Sequence, residues 1–509
     1  MRVQTSMVSF SVDGKRIEVR ENTLLIEALL SQGISIPHFC YHPALGKDGN
    51  CRMCMVEIEG QKRPQIACDT LVKEGMVVRT KGEKIDRVKR SILEMELINH
   101  PIDCPICDQA GECSLQNYYM DVGLYESRLS TPKVRGKKHV DLGSNVVLDQ
   151  ERCVLCTRCV RFTEKITKTH ELGILSRGDT SVIDTFPGEK LSNPYAMNVV
   201  DLCPVGALTS KDFRFAKRVW FLQSEKAICN ACARGCSIFV DHHKEKYRSE
   251  KIYRYRPRFN DAINGYFICD AGRLSYAREN ALFDAQAMIR GKVSEYDYAE
   301  GKWLRLLKRY LGKTLFVLSS SLCLEELVRL QKLAKLYDIK LSAYEPDRFD
   351  ECFGDTFLKC SDRSANARAL PLLGIDDTKE GFQNALQDAE LIVLIGRHDV
   401  ALTFDAPCRK SVVVLDAGGM TCEAVELMLP VASHTQKEGT YVNVDGYVQY
   451  SACMIANDKG RKTLLELLGT VLGDGITRAQ EVWEEEIVCL EPFKDLSFAL
   501  LPSTPRIAL

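Results

Sequence analysis

The sequence predicts small α+β modules built around cysteine clusters at the N-terminus, followed by an α/β domain. Three observations lead to this prediction. Fifteen of the 22 cysteines lie between residues 40 and 269. Residues 8–19 (VSFSVDGKRIEV) alternate apolar and polar side chains around Asp13-Gly14, as in a β-hairpin. After about residue 310, short apolar runs alternate with helical patterns, which is typical of a doubly wound parallel sheet.

Composition limits the possible functions. The 509 residues are enough for two to four domains, and a net charge of −1 gives no overall field that would attract nucleic acid. No run of 18 apolar residues occurs, and the N-terminal MRVQTSMVSFSV lacks the apolar core of a signal peptide. We therefore expect a chain that stays in a reducing compartment, where 22 cysteines indicate metal binding rather than disulfides.

The first cysteine group follows the hairpin and a predicted helix over residues 23–32 that ends at Gly33. Two strands, a helix and then a cysteine-bearing loop form the layout of a small ferredoxin. Gly46 and Gly49 would let the loop backbone wrap closely around an inorganic core. Four thiolates in this setting suit a 2Fe–2S cluster, although C-x10-C-x2-C-x13-C is not the plant-type spacing. The predicted ligands are Cys40, Cys51, Cys54 and Cys68.

The second group, NHPIDCPICDQAGEC (residues 99–113), has only three cysteines. An amphipathic helix predicted over residues 83–99 ends at His100, because Pro101 disfavours helical geometry in the residue before it. Neutral imidazole can replace a thiolate on cluster iron, so we predict that His100 completes a 4Fe–4S site. A histidine that only lies beside the site is the alternative. The predicted ligands are His100, Cys104, Cys107 and Cys113.

The third group is CVLCTRC with a Cys-Pro pair 44 residues later. A C-x2-C-x2-C run with a remote Cys-Pro is the bacterial ferredoxin pattern for a 4Fe–4S cluster. The distance to the remote cysteine predicts an inserted segment within a ferredoxin-like module. The predicted ligands are Cys153, Cys156, Cys159 and Cys203.

The fourth group is CNACARGC with one distant cysteine, and it also suits a 4Fe–4S cluster. Between its members, residues 251–260 (KIYRYRPRFN) alternate arginines with aromatic residues. This pattern suits a nucleic-acid stacking surface, but a strand inside a cluster domain is the better interpretation, because a predicted ligand follows nine residues later. The predicted ligands are Cys229, Cys232, Cys236 and Cys269.

The count of ligands is complete, since 15 cysteines and one histidine make four sites of four. Structural zinc is the alternative for the whole array, because zinc also uses CxxC pairs. Triplets with one remote cysteine are instead typical of ferredoxins. The other cysteines are predicted to be buried core thiols. They are Cys323, Cys352, Cys360, Cys408, Cys422, Cys453 and Cys489.

The pattern after about residue 310 predicts an α/β domain. Earlier in the chain, a basic run over residues 133–139 (KVRGKKH) predicts a solvated loop. A helix is predicted over residues 325–337. The predicted strands are residues 314–318, 339–344, 389–395 and 411–415. The sequence offers no GxGxxG nucleotide motif in a βαβ setting.

At this point the motifs resemble one family. HPIDCPICDQAGEC, CVLCTRCVRF, VVDLCPVGALT and CNACARGCSIFVDHH are similar to segments of the G subunits of bacterial NADH-quinone oxidoreductase, respiratory complex I, and of the mitochondrial 75-kDa counterpart. This resemblance covers at least residues 5–275. Further along, SDRSANARALPLLGI (361–375), AELIVLIGRHD (389–399) and LPVASHTQKEGTYVNVDGYVQ (429–449) resemble the molybdopterin oxidoreductase fold.

The resemblance implies one 2Fe–2S cluster and three 4Fe–4S clusters, with the fourth site present only in some bacterial members, and no molybdopterin. It implies ferredoxin-like iron–sulfur modules followed by a truncated, degenerate molybdopterin-oxidoreductase-like α/β domain. The implied domains are residues 1–82 (2Fe–2S, β-grasp), 83–122 (His/Cys 4Fe–4S segment), 123–220 (4Fe–4S ferredoxin-like), 221–277 (4Fe–4S of molybdopterin-oxidoreductase type) and 278–509 (α/β).

By the same resemblance, the chain would relay electrons from a flavin site toward quinone and would carry no catalytic residue. Its partners would be the flavin/NADH-binding subunit, a 2Fe–2S subunit and a 4Fe–4S ferredoxin-type subunit, with no nucleic acid. It would lie on the cytoplasmic side of the bacterial inner membrane and contact the membrane only through the complex. The alternatives are a subunit of an NAD-linked formate dehydrogenase-type molybdoenzyme, an iron-only hydrogenase and a zinc-rich nucleic-acid binder.

Overall fold

The structure, a computed structural model, describes residues 6–123, 126–128, 130–397, 410–418, 425–457, 459–501 and 507–508. The chain divides into two compact units, Met1–Phe221 and Leu222–Leu509. Of the helices in these described ranges, none has the length and apolar character needed to cross a membrane. We describe each unit separately.

The N-terminal unit begins with a five-stranded sheet of order β2-β1-β5-β3-β4, packed on one helix. Its elements are β1 (Met7–Val12), β2 (Lys15–Arg20), α1 (Leu25–Ser31), β3 (Met55–Ile58), β4 (Gln65–Ile66) and β5 (Val77–Arg79). The predicted hairpin is confirmed: β1 and β2 pair antiparallel, and Asp13 and Gly14 in the turn have φ of 50° and 85°. Gly46 and Gly49 also adopt positive φ, 71° and 81°, in the loop before β3.

The rest of this unit is made of short elements. They are α2 (Glu83–Leu97), α3 (Ser114–Val122), β6 (Val140–Gly143), β7 (Val146–Leu148), α4 (Arg158–Lys165), β8 (Leu172–Leu175), β9 (Val182–Thr185), α5 (Asn198–Leu202) and β10 (Leu208–Ser210). A three-stranded sheet has the order β10-β7-β6, and β8 pairs with β9. The predicted helix over residues 83–99 corresponds to α2, and the basic run over residues 133–139 lies in a loop, as predicted.

The second unit opens with a three-stranded antiparallel sheet followed by two short helices. The elements are β11 (Gln223–Ile228), β12 (Ser237–His243), β13 (Lys251–Pro257), α6 (Asp270–Leu274) and α7 (Tyr276–Leu282). The first seven residues of the segment KIYRYRPRFN form β13, so its interpretation as a strand is confirmed for that part. In the middle of the sheet, β12 pairs with both neighbours.

A seven-stranded sheet of order β15-β14-β20-β19-β18-β16-β17 forms the centre of this unit. Its strands and their helices are β14 (Met288–Ile289), β15 (Lys292–Val293), α8 (Tyr296–Arg309), β16 (Thr314–Leu318), α9 (Leu324–Tyr337), β17 (Lys340–Ser342), α10 (Ala369–Leu373), α11 (Lys379–Asp388), β18 (Leu391–Ile395), β19 (Ser411–Asp416) and β20 (Leu427–Pro430). The strands from β16 to β20 pair in parallel, which confirms the predicted doubly wound α/β sheet.

Both faces of this sheet are covered. Along β16, Leu315 and Val317 pack into one hydrophobic core, while Phe316 and Leu318 pack into the other. Burial on both faces explains why the central strands are continuous apolar runs rather than alternating ones. The unit is completed by β21 (Gly439–Val442), β22 (Tyr447–Ser451), α12 (Leu464–Leu472), α13 (Ala479–Glu485) and β23 (Ile507–Ala508).

Candidate iron–sulfur sites

The four cysteines of the first group converge to form what we call the first site. Cys40 and Cys51 lie in the long loop between α1 and β3, Cys54 directly precedes β3, and Cys68 lies in a short 3-10 helix after β4. The Sγ atoms of Cys51 and Cys40 are 3.4 Å apart, and hydrogen bonds also join Cys68 to Cys40 and to Cys54. All four side chains are buried.

Mutual contact makes the pKa values of these thiols diverge. The hydrogen bond with Cys51 is the main cause that lowers the pKa of the Cys40 thiol, and the same bond raises that of Cys51. Contacts with Cys40 and Cys54 raise the pKa of Cys68. Thiols that share protons in this way release them when a cationic core binds, since metal ligation requires thiolates. This donor set fits a 2Fe–2S cluster.

The second site lies between the end of α2 and the start of α3. His100 follows α2, Cys104 begins a 3-10 helix, and Cys113 is the N-cap of α3. All three, together with Cys107, line one cavity of about 20 Å³. The structure therefore brings the three cysteines and the histidine to one place, in the set predicted from the sequence.

His100 has the properties of a ligand nitrogen. Its Nδ1 is buried and has no hydrogen-bond partner among the described residues. Burial is the main cause that lowers the pKa of this imidazole to about 4, so the ring is neutral at pH 7 and keeps a free lone pair. A buried ring nitrogen without a partner is unfavourable, and a bound iron would satisfy it. The site fits a 4Fe–4S cluster held partly by His100.

The sequence did not indicate Gly206 as part of this site. It lies three residues after Cys203, yet a Cβ built at this position would collide with Sγ of Cys107 and lie 3.1 Å from Cβ of Gln109. The close approach of this backbone to the second site therefore requires glycine. The only signal in the sequence was its place in the CPVGA segment.

The third site is formed by the loop before α4 and by the end of α5. Leu155 and Thr157, between the first three cysteines, adopt left-handed φ of 49° and 63°, which curls the loop. A cavity of about 20 Å³ is lined by all four predicted ligands, Cys153, Cys156, Cys159 and Cys203. Burial is the main cause that raises the pKa of Cys156 to about 12, so its thiol is protonated unless a cation binds.

The fourth site lies in the second unit, between β11 and α6. The Cys229 amide donates to the carbonyl of Cys236 at 2.8 Å, and Cys236 interacts electrostatically with Cys229, Cys232 and Cys269. A Cβ at Gly272 would lie 2.9 Å from Sγ of Cys229 and 3.4 Å from Sγ of Cys269. Burial is the main cause that raises the pKa of Cys269 to about 11. Four buried thiols around a glycine fit a 4Fe–4S cluster.

The second and third sites touch through their ligand loops. The amide of Ser114, which follows Cys113, donates to the carbonyl of Pro204 at 3.0 Å. Arg152, directly before Cys153, donates to both carboxylate oxygens of Asp103 at 3.0 and 2.6 Å. Because each partner is next to a predicted ligand, the two sites are held in a fixed spacing.

The first and third sites are joined by a second set of contacts. Asn50 Nδ2 donates to the carbonyl of Leu155 at 2.8 Å, and Thr157 Oγ1 donates to Asp48 at 3.0 Å. Arg161, in α4, donates to the carbonyl oxygen of Gly46 at 2.9 Å. The third site thus contacts both of the other sites in the N-terminal unit.

The cysteines outside these groups have different surroundings. Among the described residues, no group of three or more His, Cys, Asp or Glu side chains is arranged to hold a single metal ion. Cys323 is buried as predicted and Cys360 is half-buried, but the prediction of core thiols is wrong for three exposed residues. They are Cys352, Cys453 and Cys489, which lie in a turn, a loop and a short 3-10 helix rather than on apolar faces. Cys408 and Cys422 lie outside the described residues.

Three protein-family models match the N-terminal unit. Residues 5–83 match a 2Fe-2S iron-sulfur cluster binding domain. Residues 89–128 match the NADH-ubiquinone oxidoreductase-G iron-sulfur binding region. Residues 143–209 match the ferredoxin-like domain of NADH-quinone oxidoreductase subunit 3. These ranges contain the first, second and third sites, respectively.

Curated relatives carry related names. The G subunit of NADH-quinone oxidoreductase from Mycobacterium bovis is 39% identical over 275 residues, 54% of this chain and 34% of that protein. The NADH-ubiquinone oxidoreductase 75 kDa subunit of Reclinomonas americana is 40% identical over 270 residues, 53% of this chain and 38% of that protein. The NADPH-Fe(3+) oxidoreductase subunit alpha of Geobacter sulfurreducens is 35% identical over 307 residues, 60% of this chain and 36% of that protein.

Among solved structures, a chain of an NAD+-reducing [NiFe]-hydrogenase in the H2-reduced state is 32% identical. The match covers 42% of this chain and 91% of that chain, with a TM-score of 0.38. The chain spans roughly a third of the length of the curated relatives that it matches. With its 2Fe–2S and 4Fe–4S binding domains, the chain resembles the G subunit of NADH-quinone oxidoreductase, the bacterial counterpart of the mitochondrial 75-kDa iron–sulfur subunit.

Proposed function

We propose that this chain is an iron–sulfur electron-transfer subunit of the peripheral arm of an NADH-quinone oxidoreductase. It relays electrons from a flavin site toward quinone and carries neither the NADH site nor the quinone site. One observation carries the proposal. Three predicted cluster sites lie within a single compact unit, and hydrogen bonds join the third site to both the first and the second. The names of the relatives support the same interpretation.

The proposed cofactors are one 2Fe–2S cluster at the first site and 4Fe–4S clusters at the second, third and fourth sites. Such clusters supply one-electron redox chemistry when bound. The chain would then bind the clusters, fix the distances between them and shield them from solvent. Its buried cysteines and His100 supply the ligands, and the surrounding side chains tune potentials through charge and hydrogen bonds. No general acid or base is assigned.

The contacts between sites suggest the order of electron flow within the N-terminal unit. The first site adjoins the third through Asn50 and Thr157, and the third adjoins the second through Ser114 and Arg152. We propose that electrons pass from the first site to the third and then to the second. The fourth site lies in the other unit and is proposed as an additional cluster outside this sequence of contacts.

The proposed partners are a flavin/NADH-binding subunit, a 2Fe–2S subunit and a 4Fe–4S ferredoxin-type subunit that leads to quinone. The proposed location is the cytoplasmic side of the bacterial inner membrane, within a larger complex. We also propose that residues 221–277 and 278–509 are a 4Fe–4S domain and a degenerate α/β domain of the molybdopterin oxidoreductase type. The parallel sheet around β16 to β20 is compatible with that assignment.

Metal analysis tests this proposal. Protein purified without air should contain about fourteen irons with matching acid-labile sulfide, from one 2Fe–2S and three 4Fe–4S clusters. Zinc without sulfide would overturn it in favour of structural zinc. Molybdenum with a pterin would overturn it in favour of a formate dehydrogenase-type subunit, which the relatives' names do not favour.

A further inference from the structure

Arg158 links the first and third sites through one guanidinium group. It lies between Cys156 and Cys159 at the start of α4. Its Nη2 donates to the carbonyl of Tyr41 at 2.6 Å, and its Nη1 donates to the carbonyl of Leu202 at 3.2 Å. Tyr41 follows the first-site ligand Cys40, and Leu202 precedes the third-site ligand Cys203. A single side chain therefore bonds to the backbone beside one ligand of each site.

In the part of the chain that the structure describes, the positive charge of Arg158 has no carboxylate partner. Among the described residues, no Asp or Glu lies within ion-pair distance of its guanidinium. The residue is half-buried, and its Nε is fully buried without a hydrogen-bond partner in those ranges. The titratable side chains that interact with it most strongly are those of Cys156 and Cys203, followed by Tyr118 and Cys40. A partly desolvated cation is unfavourable unless negative charge lies nearby, and ligated clusters would supply that charge.

Arg152 provides a contrast on the other side of the third site. It is also buried, but Asp103 holds it through two bonds and Asp149 lies 3.3 Å from its Nε. The charge of Arg152 is thus neutralised locally. Because Arg158 lacks such partners among the described residues, its field reaches the neighbouring sites with little cancellation.

Arg161 and Lys165 are the other cations on α4. Arg161 donates to the first-site loop, at the carbonyls of Cys40, Leu45 and Gly46, and to Thr157 of its own segment. Of the described side chains of α4, Arg158 alone bonds to backbone carbonyls beside ligands of both sites.

We propose that Arg158 is a positioning residue shared by the first and third sites, whose fixed positive charge raises the reduction potentials of both clusters together. The inference rests on the proposed function, in which clusters occupy these sites. Reduction adds one negative charge to a cluster, so a cation between two sites stabilises the reduced form of each. Its two bonds also hold the ligand loops at one spacing, which suits electron exchange between them.

Redox titration followed by electron paramagnetic resonance tests the inference on the full chain, purified without air. In Arg158→Gln, we expect the reduced-to-oxidised ratio of both clusters to fall at least tenfold at the wild-type midpoint, about 59 mV for a one-electron couple. The midpoints of the second and fourth sites should move less. Arg158→Lys keeps the charge, so both midpoints should stay near those of the wild type.

Lys165→Gln is the matched control. Lys165 lies two turns further along α4, is exposed, and donates to the carbonyl of Leu45 in the same first-site loop at 3.2 Å. The Lys165→Gln variant loses one positive charge and one bond at the same interface. Because that charge is exposed and screened by solvent, the midpoints should not move.

The inference is overturned if Arg158→Gln leaves either midpoint unchanged, or if all four midpoints shift equally. If Arg158→Gln does not retain its clusters, the Arg158→Lys variant provides the test instead. Unchanged midpoints in Arg158→Lys support the role of the charge, and a tenfold change in the reduced-to-oxidised ratio at either site overturns it. Iron and sulfide content of the wild-type protein separates the two proposals. Wild-type protein without clusters contradicts the proposed function, whereas intact clusters with unshifted midpoints contradict only the role of Arg158.

Discussion

At the scale of single residues, two positions at the second site show why their residue types are needed. One has a buried nitrogen without a hydrogen-bond partner among the described residues, and the other has no room for a side chain. His100 has a buried Nδ1 with no partner in the described part of the chain, so replacing it by an apolar residue would remove the proposed nitrogen ligand of the second site. Gly206 is needed for the opposite reason, because any side chain there would occupy space already filled by Cys107. His100 provides a ring nitrogen at the second site, and Gly206 leaves the space that Cys107 occupies.

We expect His100→Cys to keep four irons at the second site but to lower its reduction potential, because a thiolate adds one negative charge to the cluster. His100→Ala should lose or alter the cluster. Iron content and an electron paramagnetic resonance titration of the second site measure both effects. His139→Ala, at an exposed histidine of the same unit, should change neither. Unchanged signals and potentials in His100→Ala would show that His100 is not a ligand.

We expect Gly206→Ala to lose the second cluster or to shift its signal, because the added methyl group collides with Sγ of Cys107. Iron content per chain should fall by up to about four. The matched control is Gly301→Ala inside α8, where the nearest atom is Arg305 Nη1 at 3.4 Å. Alanine is favoured over glycine there, so the control should be neutral or slightly stabilising, by up to about 1 kcal/mol. Full iron content in Gly206→Ala would contradict the requirement for glycine.

At the scale of elements, the success of prediction depended on the length and burial of each segment. The strand predicted over residues 314–318 is β16, since an apolar run flanked by polar residues is a strong signal when both sheet faces are covered. Strands such as β7 and β10 have three residues each and were not predicted, whereas β17, of the same length, was predicted as part of a longer run over residues 339–344. Arg158 and Gly206 were missed because their roles depend on chain segments more than 40 residues away.

The first turn of α9 carries a buried carboxylate that makes stability depend on pH. Burial is the main cause that raises the pKa of Glu325 to about 7, although Thr440 donates to it through its amide and its hydroxyl, both at 2.9 Å. In the unfolded chain the pKa of Glu is about 4.3. The folded state therefore binds the proton more tightly, and this stabilisation is complete below about pH 4 and is lost as pH rises through about 7.

Glu325→Gln removes this titration while keeping the shape of the side chain. We expect the variant to be as stable as the wild type below about pH 4 and more stable at pH 8, by up to about 3 kcal/mol. Chemical denaturation of the second unit across this range measures the difference. Glu380→Gln, at an exposed first-turn carboxylate of α11, is the control and should show no such trend. A constant difference between Glu325→Gln and wild type at all pH values would contradict the prediction.

At the scale of the whole molecule, the sites are divided unequally between the two units. The first, second and third sites lie in Met1–Phe221, while the fourth site and the seven-stranded sheet lie in Leu222–Leu509. Each unit has its own hydrophobic core, in the first around α1 and β1 and in the second around β16 and α9. Cysteine density along the sequence did not mark this division, because four of the 15 clustered cysteines lie after residue 221.

A chain cut after residue 221 should therefore give two fragments that fold separately, because each keeps the core and the complete ligand sets that its clusters need. We expect about ten irons in the first fragment and about four in the second, with unchanged signals from the first three sites. A fragment that ends at residue 150 is the control. It lacks the third site and Arg152, so Asp103 loses its two bonds to Arg152 and keeps Lys138, and the second site should be destabilised as well. If the shorter fragment keeps the iron of its second site, the second site does not depend on the third site. If the fragment of 221 residues contains no iron, the first unit does not fold and bind clusters on its own.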